Sequence, residues 1–240
     1  MPYTEEGAMV GNITVDVLIL AAKKTAESKP VTIVYTSGIG LNGNTAEIID
    51  ENHDDISHCP ESAAPRGILE KKVINASTEN LHGVALRVGW VYGKSFVDQW
   101  LKFCKVNNYI YIGGDREDSH ICFIHHEDLA NMYRVLIEKK AYGLFFAVEP
   151  EPVTLQNLIE RVSTLGNIHE TEKVNPWEHF LGPYGLFLLG HELDQQLYPK
   201  RFIDLYDFQY NHKFLDWINF FPFNQIFYDE NTKFWQIRNN

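Results

Sequence analysis

Three glycines follow a β-branched run in the first quarter of the chain with the spacing of a phosphate-binding loop. Residues 31–34 read VTIV, and Gly38, Gly40 and Gly43 then complete the pattern G-x-G-x-x-G. In dinucleotide-binding proteins this pattern lets the backbone approach a pyrophosphate, which the free N–H groups at the start of a helix then bind. The first chemistry to consider is therefore dinucleotide binding by residues 31–44.

The residues after the third glycine do not predict the helix that such a loop requires. They read NTAEIIDENHDD, in which the single apolar pair is Ile48 and Ile49. Glu47, Asp50 and Glu51 would place negative charge near the pyrophosphate. The acidic residue expected about 20 positions further on is matched easily in so acidic a region. We therefore expect the glycine spacing to be accidental.

Histidine and acidic residues cluster at residues 125–128, which read HHED and follow a predicted strand, with His120 shortly before them. These side chains could bind a metal ion, but neighbouring residues point in different directions. No H-x-x-x-H spacing places two ligands on one helix face either. The sequence predicts no metal site.

The three cysteines, Cys59, Cys104 and Cys122, are odd in number and widely spaced. This favours reduced thiols in a cytosol-like compartment over a disulfide framework. The first ten residues, MPYTEEGAMV, are acidic and do not resemble a signal peptide. We expect a cytoplasmic protein.

The bulk composition excludes two classes of partner. The 240 residues carry a formal net charge of −11, whereas nucleic acids and anionic membranes bind clustered Lys and Arg. The longest apolar stretches, such as residues 180–189, are too short to span a bilayer. We expect neither a nucleic acid nor a membrane as partner.

Strand and helix patterns alternate over the first 170 residues. Apolar runs predict strands at residues 31–35, 84–88, 109–112, 121–124 and 144–148. Apolar periodicity and proline positions predict helices at residues 5–28, 64–80, 96–107, 127–140 and 155–165. Continuous apolar strands are typical of parallel sheets, which are buried on both faces. The sequence predicts an α/β fold with a doubly wound, Rossmann-like parallel sheet.

From about residue 171 aromatic residues become frequent and their periodicity becomes irregular. Aromatic stripes of this kind belong to a core more often than to a ligand site. We therefore divide the chain into a partial dinucleotide-binding-type domain at residues 1–170 and an aromatic-rich, mostly helical cap at residues 171–240.

Five segments together resemble the extended short-chain dehydrogenase/reductase family, the NAD-dependent epimerase/dehydratase group. VTIVYTSGIGLNGNT is similar to the family's VVYTSSxxVYGN, and VALRVGWVYGKS is similar to LRPxxVYGP. APRGILEKKVINAS lies where the catalytic helix of the family lies. FIHHEDLANMYRVLIEK and GLFFAVEPEPVTLQNLIERV resemble two later segments, in the family's order. The resemblance covers about residues 12–165.

The resemblance implies a cofactor, a substrate class and an assembly. Members use NAD or NADP and act on a nucleotide sugar or another small carbonyl or hydroxyl substrate. They pair as homodimers through the helices equivalent to residues 5–28 and 64–80. The cofactor contacts implied for this chain are Thr36, Ser37, Gly38, Arg87, Gly89 and Val91.

The chain departs from the family before residue 31. Members have their glycine motif and several strand–helix units there, whereas only one predicted helix precedes residue 31 in this sequence. The predicted strand at residues 31–35 would then be an unpaired sheet edge. Three interpretations stay open: a fragment of a longer product, an incomplete gene model, or a subunit that borrows a sheet edge.

The catalytic residues depart from the family as well. Members use Ser or Thr together with Tyr-x-x-x-Lys, in which the lysine makes the phenol a usable acid/base. Here Gly38 takes the Ser position after Ser37, Arg66 takes the Tyr position and Glu70 the Lys position. Arginine cannot act as the base because it does not lose its proton in proteins. Arg66 and Glu70 are either a weak surface ion pair or the signature of an atypical branch.

Tyr92, in the loop after the second strand, offers another phenol near the expected nicotinamide, although packing against the sheet is the simpler interpretation. The candidate catalytic residues are therefore Ser37, Arg66, Glu70 and Tyr92. Two functions stay open: an atypical NAD(P)-dependent oxidoreductase or epimerase, impaired in this form, and a non-catalytic scaffold or regulatory protein with the same fold.

Overall fold

The computed structural model describes residues 5–53, 55–61, 63–113, 118–174, 187–188, 190–229 and 234–237. Its helices are α1 (Glu5–Ala26), α2 (Ala64–Asn75), α3 (Phe96–Asn107), α4 (His126–Glu138), α5 (Leu155–Gly166), α6 (Lys200–Tyr206) and α7 (Phe214–Trp217). Its strands are β1 (Val31–Gly38), β2 (Leu81–Val88), β3 (Trp90–Tyr92), β4 (Ile110–Ile112), β5 (His120–Ile121), β6 (Phe123–His125), β7 (Gly143–Ala147), β8 (Val153–Thr154), β9 (Thr171–Lys173), β10 (Ile226–Asp229) and β11 (Phe234–Ile237).

A parallel sheet in the order β1-β2-β7 forms the centre of the fold. Alternate side chains of β1 face opposite layers: Ile33 and Tyr35 pack with α1 and α2, and Val34 packs with α4. The central strand β2 is buried along most of its length. Helices on both faces of a parallel sheet confirm the predicted doubly wound α/β fold.

The strand predicted at residues 121–124 is two strands that separate at Cys122. β5 pairs antiparallel with β8, and β6 pairs parallel with β3. Helix α2 ends at Asn75, before the predicted limit of 80, because residues 76–80 turn into β2. Local patterns predict the type of these elements but not the pairing partners that set their ends.

The described residues after 170 join the same core as the rest of the chain. β9 pairs with β4, and the described tail adds α6, α7, short 3-10 turns and the antiparallel pair β10–β11. Phe187 and Phe214 are fully buried in the cluster that contains Trp100 of α3 and Leu158 of α5. None of the described helices is both long and apolar enough to cross a membrane.

Strand β1 lies at an edge, as predicted. Within the described residues no strand pairs with its outer side, and most of its side chains are only half-buried. Helix α1 is apolar on two sides. One side packs into the core, and the opposite side exposes Val10, Ile13, Val17 and Leu20. Because a helix that is apolar all round is normally covered, this outer face marks a candidate interface.

The packing of the core predicts that alanine substitutions of two phenylalanines in the tail lower the free energy of unfolding by very different amounts. Phe202 is fully buried in the cluster that contains Phe145 of β7, whereas Phe220 is 86% exposed. Phe202→Ala should lower the free energy of unfolding by about 3–5 kcal/mol, because it removes buried apolar surface and leaves a cavity. Phe220→Ala, the matched control, should change it by less than about 0.5 kcal/mol. Urea denaturation followed by circular dichroism measures both, and equal losses would contradict this packing.

Candidate functional site

A buried ion pair joins α2 to β2 where the sequence placed the catalytic helix. Glu70 is 2% exposed and Arg87 is 1% exposed. Arg87 Nη2 donates to Glu70 Oε2 at 2.7 Å, and Nε donates to both carboxylate oxygens at 3.1 Å. The forked guanidinium matches the carboxylate, whereas either charge alone would be costly at this depth. The pair therefore fixes α2 on the sheet.

Asn42 is a further hydrogen-bond partner of the Arg87 guanidinium. With the amide oxygen turned toward Arg87, Asn42 accepts from Nη1 at 3.1 Å and its Nδ2 donates to the carbonyl of Ile39 at 3.3 Å. Asn42 ends the 3-10 turn that follows β1 and is 4% exposed. One buried arginine thus joins β2, α2 and the turn after β1.

A weak surface ion pair is therefore wrong as an account of Glu70. The buried side of α2 carries Gly67, Glu70 and Val73 at intervals of three residues, so Glu70 faces the sheet. Arg66 instead approaches β1: a Cβ atom built on Gly38 would lie 3.2 Å from its Nη1. Glu70 thus binds Arg87 of β2, and Arg66 lies beside the end of β1.

The three residues expected to contact a cofactor at the end of β1 are divided between the two faces of the sheet. Ser37 is 5% exposed, and its Oγ is buried without a hydrogen-bond partner. Thr36 is exposed on the other face, where its Oγ1 lies 2.6 Å from the hydroxyl of Tyr133 on α4. Gly38 lies beside Arg66. Of the three, Ser37 faces the layer of the buried ion pair and has an unsatisfied polar atom.

The glycine-rich loop does not have the features of a phosphate cradle. No helix begins at Gly43, which has a φ of +60°, and the following residues reach α2 through turns and coil. The tail occupies the loop, because Gln195 Nε2 donates to the carbonyls of Ile39 at 2.7 Å and Gly43 at 3.2 Å. The N–H groups of Gly43 and Thr45 already donate to backbone carbonyls, at 3.2 and 2.7 Å. Because a pyrophosphate is normally bound by free N–H groups at the start of a helix, this part of the loop does not fit the phosphate part of NAD or NADP.

Tyr35 is a phenol near the ion pair that the sequence patterns did not single out. Burial raises its pKa above the ordinary value of 10, the charge of Arg66 lowers it and the charge of Glu70 raises it. Period-two alternation places Tyr35 and Ser37 on the same side of β1, which was the available signal. With its pKa raised, this phenol is not a general base at neutral pH.

Tyr92 lies in a different part of the molecule. Its strand β3 pairs with β6, and its side chain is fully buried. The rings around it belong to Phe123, His125, Phe214 and Trp217. Burial, followed by the charge of Glu149, raises the pKa of Tyr92. The structure therefore does not bring Tyr92 together with Glu70 and Arg87.

The other two residues of the expected nicotinamide loop are also packed inside. A Cβ atom on Gly89 would lie 2.7 Å from the carbonyl oxygen of Cys122, so the backbone approaches too closely for a side chain there. Val91 packs against the cluster that contains Ile124 and Met132. Both residues shape the core around β3 and β6.

Within the described residues, donor atoms of His125, Glu127 and His212 lie within 4.8 Å of one another. The two imidazole rings stack at 3.6 Å with an interplanar angle of 23°, so their in-plane lone pairs run side by side. The backbone N–H of Glu127 also donates to His125 Nδ1 at 3.3 Å, which places the proton of a neutral ring on Nε2. This geometry does not converge on a single metal ion.

The chain matches no protein-family model and no curated protein sequence, whereas many solved structures share its fold. dTDP-glucose 4,6-dehydratase from Bacillus anthracis, in complex with NAD, aligns with a TM-score of 0.72 at 12% identity over 91% of this chain and 68% of that one. Human epimerase family protein SDR39U1, with NADPH, gives 0.66 at 17% identity over 87% and 72%. ADP-L-glycero-D-manno-heptose-6-epimerase from Helicobacter pylori gives 0.64 at 14% identity over 85% and 62%.

At these identities the similarity shows a common fold, and the chain spans roughly two thirds of the length of these structures. The Rossmann-like architecture of the epimerases and dehydratases, which the five sequence segments implied, is thereby confirmed.

The buried pair predicts strong coupling between its two members. Glu70→Leu and Arg87→Met should each lower the free energy of unfolding by about 3–5 kcal/mol, because each leaves an unpaired buried charge. The double variant should lose clearly less than the sum of the two. The exposed pair Lys24–Glu27, with side chains 80% and 65% exposed, is the control and should contribute less than about 1 kcal/mol. Additive losses for Glu70 and Arg87 in urea denaturation would contradict the ion pair.

Proposed function

We propose that this chain is a catalytically impaired member of the NAD-dependent epimerase/dehydratase family that serves as an interaction or regulatory scaffold. The observation that carries the proposal is the position of Glu70, at the family's lysine position, in a buried ion pair with Arg87. A lysine there would favour the ionised form of a nearby phenol, whereas a carboxylate opposes it. Arg66, at the family's tyrosine position, cannot transfer a proton.

A second candidate is an atypical oxidoreductase or epimerase that uses NAD or NADP on a nucleotide sugar or another carbonyl or hydroxyl substrate. The buried, unpartnered Oγ of Ser37 favours it, because an unsatisfied hydroxyl at the carboxyl end of a parallel strand lies where ligands of such sheets bind. Several structures with this fold contain NAD or NADPH. The bonded N–H groups of Gly43 and Thr45, with no helix beginning at Gly43, argue against this candidate.

We also propose a homodimer through α1 and α2, the helices that correspond to the predicted segments 5–28 and 64–80. The outer face of α1 supports it, because Val10, Ile13, Val17 and Leu20 are each more than half exposed. Ile68 of α2 is exposed as well, and a shallow groove lined partly by Met9 and Ile68 runs between the two helices. Burial of these side chains against a second copy would remove a large apolar surface from water.

Cofactor titration separates the two candidate functions. Calorimetry of the folded chain with NADH and with NADPH should show no micromolar binding, because no helix begins at Gly43 to bind the diphosphate and the N–H groups of Gly43 and Thr45 are already bonded. Incubation with NAD and a dTDP- or UDP-sugar should give no turnover. Micromolar binding that Ser37→Ala abolishes, together with turnover, would contradict the scaffold proposal and support the enzyme.

Sedimentation velocity tests the assembly. The wild-type chain should sediment as a dimer, and Val17→Glu should shift it to the monomer, because a carboxylate in an apolar interface is costly. Leu205→Glu is the control: Leu205 on α6 is 58% exposed, like Val17, but lies outside the proposed face. A wild-type monomer across the micromolar range would refute the dimer.

A further inference from the structure

Residues 210–217, called the C-terminal strap here, are bound to the main body by two buried carboxylates. Asp128 of α4, which is fully buried, accepts from the backbone N–H of Asn211 at 3.2 Å and of His212 at 3.0 Å. Glu149, which is 5% exposed and follows β7, accepts from the N–H of Phe214 at 3.0 Å. Three amides of the strap therefore report directly on whether it is closed.

The strap covers His125 at the end of β6. The ring of His212 stacks on that of His125, and His212 Nδ1 lies 3.2 Å from a carboxylate oxygen of Asp128. His125 is 5% exposed. Burial lowers the pKa of His125 to about 4, and the charges of His212 and His126 lower it further. While the strap is closed, His125 is a neutral base with no access to water.

The strap also covers an acid. Glu149 Oε1 and the hydroxyl of Tyr92 are both buried beside each other, too poorly placed for a well-formed hydrogen bond but close enough for each to shift the pKa of the other. Phe214 and Trp217 of the strap pack their rings against Tyr92 and separate this region from solvent. Burial raises the pKa of Glu149 to about 7, while the N–H of Phe214 lowers it. Between about pH 4 and 7 the closed strap therefore covers a protonated acid together with an unprotonated base.

We propose that opening of the strap is coupled to an exchange of protons with water, in which Glu149 releases one proton and His125 takes one up. The closed state stores both groups uncharged, and the open state solvates both as ions. The ionisable groups that face these two from the surrounding elements are Tyr92 on β3, His126, Glu127 and Asp128 on α4, and Tyr210, His212, Lys213 and Asp216 on the strap.

The titrations of Glu149 and His125 change the pH dependence of strap opening in opposite directions. The pKa of Glu149 is about 7 when covered and near its ordinary 4.5 when solvated, so opening becomes up to tenfold easier per pH unit as pH rises between these values. The pKa of His125 is about 4 when covered and near 6.5 when solvated, so opening becomes easier as pH falls between these values. Between about pH 4.5 and 6.5 the two effects cancel. The pair thus keeps the strap closed to the same degree across that range.

Hydrogen exchange measured by NMR tests the proposal on the amides of Asn211, His212 and Phe214. Protection factors, which remove the intrinsic pH dependence of exchange, should stay constant in the wild type from about pH 4.5 to 6.5. Glu149→Gln keeps an acceptor for Phe214 and removes the compensation of His125 by Glu149, so protection should fall as pH falls. His125→Asn keeps an acceptor for the Glu127 amide and removes the compensation of Glu149 by His125, so protection should fall as pH rises.

Two exposed positions supply matched controls. Glu79→Gln and His169→Asn make the same chemical changes away from the strap and should leave the wild-type profile flat. The proposal is overturned if the Glu149 and His125 variants show the same profile as the wild type, or if both slopes have the same sign. If a variant fails to close its strap, the pH profile of the wild-type protection factors still tests the proposal. A steady slope through the expected plateau overturns the exchange, and a plateau with falling protection at both ends supports it.

Discussion

The buried pair of Glu70 and Arg87 is the interaction on which the described architecture depends. A guanidinium and a carboxylate that are both shielded from water must satisfy each other, and this requirement fixes the rotation of α2 and its depth on the sheet. Asn42 occupies the remaining side of the guanidinium, so the turn after β1 is fixed by the same charge. Glu70, which lies at a position where the family has a catalytic lysine, therefore makes a structural contact.

Other buried polar side chains join distant parts of the chain in a similar way. Gln195 binds the carbonyls of the glycine-rich turn. Glu51 accepts from the N–H of Phe146 at 3.1 Å and from that of Arg201 at 3.2 Å, so a carboxylate satisfies an N–H of β7. Burial raises the pKa of Glu51, which these two N–H groups oppose. Side chains far apart in the chain therefore satisfy backbone groups of the turn after β1, of β7 and of α6.

Local sequence signals predicted the bounds of an element well where residues within that element determine its ends. Helix α3 occupies the predicted residues 96–107, and its start carries a capping box between Ser95 and Asp98. The unpaired edge at β1 followed from the comparison with the family's order of strands. The partners of Glu70 and Tyr92 could not be predicted in this way. The contact of Glu70 with Arg87 depends on helix rotation and strand register together, and the burial of Tyr92 depends on Phe214 and Trp217, more than 120 residues further along the chain.

The central claim is that Arg87 holds the carboxylate of Glu70 and removes it from chemistry. Arginine-selective ¹⁵N NMR tests this most directly, because a buried, hydrogen-bonded Nε–H exchanges slowly with water at pH 8–9, where exposed guanidinium signals broaden. The structure predicts a persistent signal from Arg87 that disappears in Arg87→Lys and becomes fast-exchanging in Glu70→Gln. If every arginine Nε–H signal in the folded protein exchanges as fast as an exposed one, the ion pair does not exist in solution and the claim is wrong.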